Sequence, residues 1–379
     1  MFSLTNEINV KELFFMFKIK NQIRKLYTHA ILGNLSLSGA WVAILAARGF
    51  SLVEIGLAET AYHAASLLTE IPSGTLADVY GRKKMLIIST LIHILAGIVM
   101  ILSRSLATVC LSIALYAVCD SFASGSGDAL AYDSLKAAGR EGTYDRYESN
   151  QLIIYRLCGG ISTLCAGFAL VIGYRIAYAA GIVTSLIQIL ILSSLKEIRP
   201  DKHSPAVAST ALRALLNCFR DSLLFLKQET RAFLLMMTNS LVGAMDILLL
   251  FFLQAKLPAA GIPAGWLGPA LFIMQLGGIL GARAILIFKK QSYRTVFAVT
   301  CALVLAGILL EHSGIHLLMT AGGFIAALAD DALQVRTNTR LQDMFPSAQR
   351  ATLISIECFT FSIIMIVLSP LAGWFFSFW

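Results

Sequence analysis

Apolar runs of helix length recur along the chain between short polar breaks. They lie near residues 27–47, 54–76, 84–103, 107–132, 149–172 and 174–195, then near 231–254, 266–287, 293–311, 314–337 and 349–375. A helix of about 20 apolar residues crosses the hydrocarbon core of a bilayer. The pattern therefore predicts an all-α membrane protein: a six-span bundle over 27–195, a cytoplasmic linker over 196–230, and a five-span bundle over 231–379. Residues 1–26 precede the first span. Their apolar stretch, Leu13 to Phe17, is too short for a signal peptide and has charge on both sides. An interfacial amphipathic helix and a loosely ordered cytoplasmic tail both fit it.

Composition narrows the class. The chain has 379 residues, 57% of them hydrophobic and 14% charged, whereas soluble domains run at about 45–50% apolar and about 25% charged. A soluble enzyme, a disordered chain and a secreted disulfide scaffold are excluded. Of seven cysteines, only Cys218 lies in a polar stretch; thiols at lipid depth read as packing rather than as disulfides or metal ligands.

Charge then sets orientation. Of 30 Lys and Arg residues, 24 fall in one alternating set of segments: the N-terminus, 77–84, 133–148, 196–231, 288–294 and 336–350. The other set holds only Arg48, Arg104, Arg175 and Lys256, and Arg156 and Arg283 sit within spans. By the positive-inside rule the first set is cytoplasmic. The net charge of +8 is thus mostly topology, and nucleic acid is not an expected partner.

Two landmarks repeat at a shared offset. Gly74, Leu76 and Asp78 of span 2 read GTLAD, and Gly278, Leu280 and Ala282 of span 8 read GILGA; Asp128-Ala-Leu of span 4 recurs as Asp331-Ala-Leu in span 10. The common offset implies two parallel repeats of six helices. Projected forward, it puts the partner of span 6 at the very end of the chain. A twelfth helix is therefore expected to be missing, with the C-terminus outside.

The loop after span 2 reads Gly74-Thr-Leu-Ala-Asp78-Val-Tyr-Gly81-Arg82-Lys83-Lys84. It resembles the G-x-L-x-D-x-x-G-R-[RK] signature of the major facilitator superfamily, most closely its drug:proton antiporter branch. The resemblance implies two six-helix bundles around a cavity lined by spans 1, 2, 4, 5, 7, 8, 10 and 11. It also implies a gate in which Asp78 meets the start of span 11, near Ala351 and Thr352. On physical grounds Gly74 lets helices approach closely, Gly81 allows a tight turn, and Arg82, Lys83 and Lys84 can anchor at anionic lipid. Asp120 stands about where an antiporter arginine is expected, and span 5 has no proline.

Polar residues at bilayer depth mark candidate sites, since a charge at the bilayer centre costs roughly 2.5–3.5 kcal/mol. In span 2, Glu59, Tyr62, His63, Ser66, Thr69, Glu70 and Ser73 share one helical stripe. Span 4 offers Tyr116, Asp120, Ser124 and Asp128 at four-residue steps; span 1 offers Asn34, Ser38 and Trp41, and span 7 Asn239 and Asp246. Arg156 is expected to pair with Asp128, and Arg283 with Asp330 or Asp331. Glu59, Asp120, Asp246 and Glu357 then remain as cavity acids able to carry protons, with His63 a further titratable group.

No phosphate-binding G-x-x-x-x-G-K-[ST] loop, metal-ligand spacing or Ser/His/Asp grouping occurs. No cofactor or metal is expected. The reading is a monomeric secondary transporter of the plasma membrane, embedded in lipid, exporting small amphipathic or cationic molecules in exchange for protons. A non-transporting binding or sensor protein, or a truncated inactive transporter that keeps the fold, is the alternative.

Overall fold

The computed structural model describes residues 10–198, 220, 224, 227–288, 290–344 and 350–378. Regular structure among them is helical: α1 Val10–Asn34, α2 Trp41–Ala47, α3 Leu52–Tyr80, α4 Arg82–Leu102, α5 Leu106–Ala123, α6 Ser126–Ala137, α7 Tyr144–Leu164, α8 Ala166–Ile172 and α9 Tyr174–Ser193. Then follow α10 Thr230–Ala259, α11 Ala264–Ala284, α12 Tyr293–Glu311, α13 His316–Met344 and α14 Arg350–Ser377. Most of the 196–230 linker lies outside the described residues.

By length and apolarity, 8 segments can cross a membrane among the described residues, or 9 if the α7–α8 pair, bent by 48°, counts as one. The two remaining expected spans fail for visible reasons. Span 1 is divided into α1 and α2 by a non-helical stretch after Asn34. Span 2 is one continuous helix, α3, but it carries Glu54, Glu59, Glu70 and Asp78.

The N-terminal segment is no loose tail from Val10 onward, because α1 runs through it into span 1. Ile19 and Leu26 are buried with Leu130, Leu135, Tyr147 and Leu192. Gln22 donates to Ser134 Oγ at 2.8 Å and to the Lys196 carbonyl at 3.0 Å.

Span 4 is also broken. Gly125 adopts φ +68°, a left-handed conformation that only glycine reaches cheaply, and it separates α5 from α6. Span 10 (α13) runs unbroken past Asp331, so Asp128 and Asp331 sit in different local settings.

The two parts of the chain meet along two seams. α3 packs along α14, and α7 with α8 packs along α11. At the end away from the basic loops, hereafter the far end, both seams are too tight for side chains. A Cβ on Gly56 would overlap the Ser369 carbonyl, and one on Gly373 the Leu52 carbonyl. On the second seam, Gly167 meets Ala264 and Gly268 meets Leu164 in the same way. Deeper in, Thr60 donates to the Ile366 carbonyl at 3.0 Å, and Gln275 to Thr163 at 3.1 Å. Close backbone approach through small residues substitutes here for the hydrophobic effect, which gives helices no net attraction inside lipid.

Candidate functional site

At the basic end, the turn at Gly81 has φ +101°, as the tight-turn expectation requires. The cations after it do not simply reach for lipid. Arg82 forms an ion pair with Asp133 of α6 and donates to the Ala129 carbonyl at 2.7 Å. Lys83 donates to the Ser193 and Leu195 carbonyls, each at 2.7 Å, where a cation suits the C-terminal end of α9. The Glu197 carboxylate accepts from the backbone amides of Arg82 and Lys83 at 3.0 and 2.9 Å, capping α4. Only Lys84 is exposed. The loop therefore ties spans 3, 4 and 6 together, a role for Glu197 with no signal in local spacing. The surroundings of Gly74 and the side chains of Asp78, Ala351 and Thr352 lie outside what the structure describes, although a helix does begin at Arg350.

Between the halves is a cavity of about 600 Å³. Glu59, Tyr62, His63 and Asp120 all line it, as do Ser38, Trp41 and Tyr116. The α3 stripe supplies the core of the site because Glu59, Tyr62 and His63 sit one helical turn apart. Glu59 and His63 are buried, with His63 Nε2 3.2 Å from the Glu59 carboxylate. His63 Nδ1 lies 3.2 Å from Ser362 Oγ of α14, so this dyad crosses the seam. Tyr62 donates to Asp120 at 2.8 Å, and Asp120 stays open to the cavity.

Span 1 unwinds where it meets this cavity. Ser36 N donates to Ser162 Oγ at 2.9 Å, and Ser162 Oγ donates to the Asn34 carbonyl at 3.2 Å. Span 5 thus satisfies backbone groups that the break exposes, which non-helical backbone at membrane depth requires. Ser36 and Ser38 join hydroxyls at 2.8 Å and face the cavity.

Aromatic rings complete the walls. Trp41 meets Phe251 edge-on at 5.6 Å, His63 meets Phe361 at 5.7 Å, and His93 meets Tyr116 at 5.0 Å. Phe251, Phe361, Tyr155 and Tyr178 were not among the expected residues. An aromatic on a greasy helix gives no sequence sign of whether it faces lipid or a cavity. His93 comes from span 3, which is not among the spans expected to line the cavity, yet it lines it and hydrogen-bonds Ser185 at 2.9 Å.

Three expected cavity residues are elsewhere. Asn34 donates to its own helix, to the Ala30 carbonyl at 2.8 Å. Glu357 accepts from Asn239 at 2.9 Å, away from the cavity lining. Asp246 is buried among α10, α12 and α13, in electrostatic range of Asp330, Asp331 and Glu311.

Neither expected ion pair forms. The ion pairs within 4 Å among the described residues include Glu59–His63 and Arg82–Asp133. Asp128 does not meet Arg156. It stands in the first turn of α6, near Glu148, where the helix N-terminus favours an anion. The positive charge of Arg156 is felt instead by Asp331 of the other half, without an ion pair between them. Arg283, in the last turn of α11, makes no ion pair with Asp330 or Asp331. Asp331 does meet the other landmark of its half, since its carboxylate occupies the space a Cβ on Gly278 would fill.

A span that unwinds at the cavity, seams of small residues and a polar and aromatic cavity between the halves define a polytopic membrane protein with room for a small molecule. The model of the Major Facilitator Superfamily matches residues 27–356. The chain belongs to that superfamily and so to the multi-pass membrane transporters. No curated protein matches it. Among solved structures it is similar to the nucleoside transporter NupG (15% identity, 93% of this chain and 90% of that one, TM-score 0.69). It is likewise similar to a D-xylose–proton symporter (10% identity, 93% and 89%, TM-score 0.66). A third is a bacterial homologue of the human lysosomal transporter Spinster in an inward-facing, unoccupied conformation (15% identity, 94% and 81%, TM-score 0.65). These likenesses establish the fold.

Proposed function

We propose that the chain is a proton-coupled exporter of small amphipathic or cationic molecules in the plasma membrane. The observation that carries this reading is the pairing of Asp120 and Glu59 with aromatic walls in one cavity between the halves. A carboxylate open to the cavity attracts a cation, and ring faces add about 0.5–2 kcal/mol of cation–π attraction as the site loses water. The same carboxylates can take up protons when the cation leaves. Movement would rock the 27–195 and 231–379 bundles about the seams, with the linker and the basic loops in the cytoplasm. With the far end closed, the cavity is then poised to load from the cytoplasmic side. The solved relatives handle nucleosides and a sugar by their names, so the substrate class here rests on the cavity chemistry.

The test is efflux of ethidium and tetraphenylphosphonium from proteoliposomes under an imposed pH gradient. Gradient-dependent efflux that falls in Asp120→Asn and Glu59→Gln supports the reading. Efflux indifferent to the gradient overturns proton coupling, and no efflux of either cation overturns the substrate class.

A further inference from the structure

Where spans 1, 4 and 5 reach the end with the basic loops, they enclose a further cavity of about 730 Å³. Four cations line it: Lys20 and Arg24 of α1, Arg140 of the turn after α6, and Arg146 of α7. No carboxylate lines it among the described residues; Asp145 and Glu148 of α7 stay outside the lining. None of the four cations has an ion-pair partner among the described residues, whereas Arg82 nearby has Asp133. A cleft lined by one sign of charge focuses its field and concentrates counter-ions.

The fold holds this cluster in place. Lys20, Arg24 and Tyr27 follow at steps of four and three and share one face of α1; Arg146 and Asn150 share a face of α7 in the same way. Gln22 fixes α1 to α6 through Ser134, and Asn150 fixes it to α7 by donating to the Tyr27 hydroxyl oxygen at 3.0 Å. Tyr27 stacks on Tyr147 with ring centroids 5.2 Å apart, and its own hydroxyl proton stays available for an acceptor. Arg140 is set by Gly139, at φ +63°. Its amide donates to the Leu135 carbonyl at 2.9 Å, and its carbonyl accepts from the Thr143 hydroxyl at 2.8 Å.

Two features choose among anions. Ile19, Ile23 and Leu135 give the cavity an apolar wall beside the cations. Its level is also that of lipid headgroups, because Tyr27 opens the apolar run of span 1 and Asn150 stands at the start of that of span 5. Arg24 and Lys20 lie about 5 and 10 Å further out along α1. A phosphate that carries acyl chains uses both the charge and the apolar wall, whereas a free anion uses only the charge.

We propose that this cavity binds the phosphate headgroup of an anionic phospholipid from the leaflet on the side of the basic loops. Arg140 and Arg146 grip the phosphate, since the guanidinium fork matches two phosphate oxygens. Lys20 and Arg24 complete the positive rim, and Ile19 and Ile23 receive the glycerol and first acyl carbons. Basic pockets between membrane helices hold headgroups in this way. The bound lipid joins α1 to the α6–α7 turn and braces the first half, whatever the central cavity carries.

Native mass spectrometry of the full chain released from detergent micelles counts bound lipids. The parent should bind phosphatidylglycerol more tightly than phosphatidylcholine or inorganic phosphate. Arg140→Gln combined with Arg146→Gln should weaken phosphatidylglycerol binding about tenfold. Lys84→Gln combined with Lys290→Gln removes the same charge from exposed positions at the same end and should leave that binding unchanged. Arg140→Lys combined with Arg146→Lys keeps the charge and should bind better than the first Gln pair, which separates loss of the site from loss of the fold. Equal loss in the two Gln pairs would mean diffuse attraction to a basic surface and would overturn the site. So would phosphatidylcholine bound as tightly as phosphatidylglycerol, or a Lys pair no better than the first Gln pair. Inorganic phosphate bound as tightly as phosphatidylglycerol, and lost with it in the first Gln pair, would make the ligand a free phosphate and overturn the lipid.

Discussion

At Asp120 the balance is between attraction for a cation and the hydrogen bond from Tyr62 that already orients the carboxylate. Removing the charge while keeping the shape isolates the first. Asp120→Asn should weaken binding of a cationic probe by about tenfold, about 1.4 kcal/mol. Tyr62→Phe should cost less, because only the orienting bond is lost; equilibrium binding of fluorescent ethidium to purified protein measures both. Glu59 differs because it is buried against His63. Glu59→Gln can still accept from the imidazole, so its thermal midpoint should stay near the parent. Glu59→Leu strands a buried donor and should cost about 1–3 kcal/mol, seen as a lower midpoint. These residues were legible because three- and four-residue spacing fixes one helical face. Asp246 satisfied the same rule and faces elsewhere, since spacing says which residues share a face but not which neighbour that face meets. Arg156 was matched to Asp128 by depth alone. The left-handed Gly125, which gives Asp128 a helix N-terminus of its own, leaves no sign in charge spacing.

Between helices, the far-end seams are the most constrained feature. Gly56 and Gly373 on one seam and Gly167 and Gly268 on the other leave no room for a Cβ without moving backbone. Gly56→Leu or Gly268→Leu should therefore hold that end apart while leaving each helix intact. A Phe361→Cys reporter in the cavity should then react faster with a membrane-impermeant thiol reagent added on the far side. Unchanged labelling in both glycine variants would mean the seams do not limit access. Sequence showed these glycines as small residues on apolar helices and nothing more, because a close approach is a property of two helices. The α4 start is a milder case. Glu197 holds two of its amides, so Glu197→Ala should cost about 1 kcal/mol, as loss of a helix cap usually does. Gly81, at φ +101°, should tolerate Ala worse, by about 1–3 kcal/mol of backbone strain. Chemical denaturation in detergent ranks the two.

Across the whole molecule, the alternation of apolar runs and basic loops made the helical membrane architecture readable before any coordinates. Both features follow from the bilayer: its thickness sets run length, and its surface potential biases loop charge. What the alternation could not show is where a span breaks, because the 35–40 and 124–125 interruptions are only serines, alanines, glycines and leucines within apolar surroundings. Orientation is the expectation that loop charge carries most directly. The 24 basic residues on one set of loops against four on the other favour a single insertion, since each Lys or Arg near an anionic cytoplasmic leaflet contributes about 1 kcal/mol. Even a fraction of that difference exceeds thermal energy many times over. A phosphatase that works only outside the cytoplasm should therefore be active when fused after Trp379 and silent when inserted after Gly139, in the turn that follows α6. A fluorescent protein that matures only in the cytoplasm should give the opposite pattern at the same two positions. Both reporters active on the same side would require an even number of crossings between those points, and the path of one helix from α7 onward would have to be redrawn.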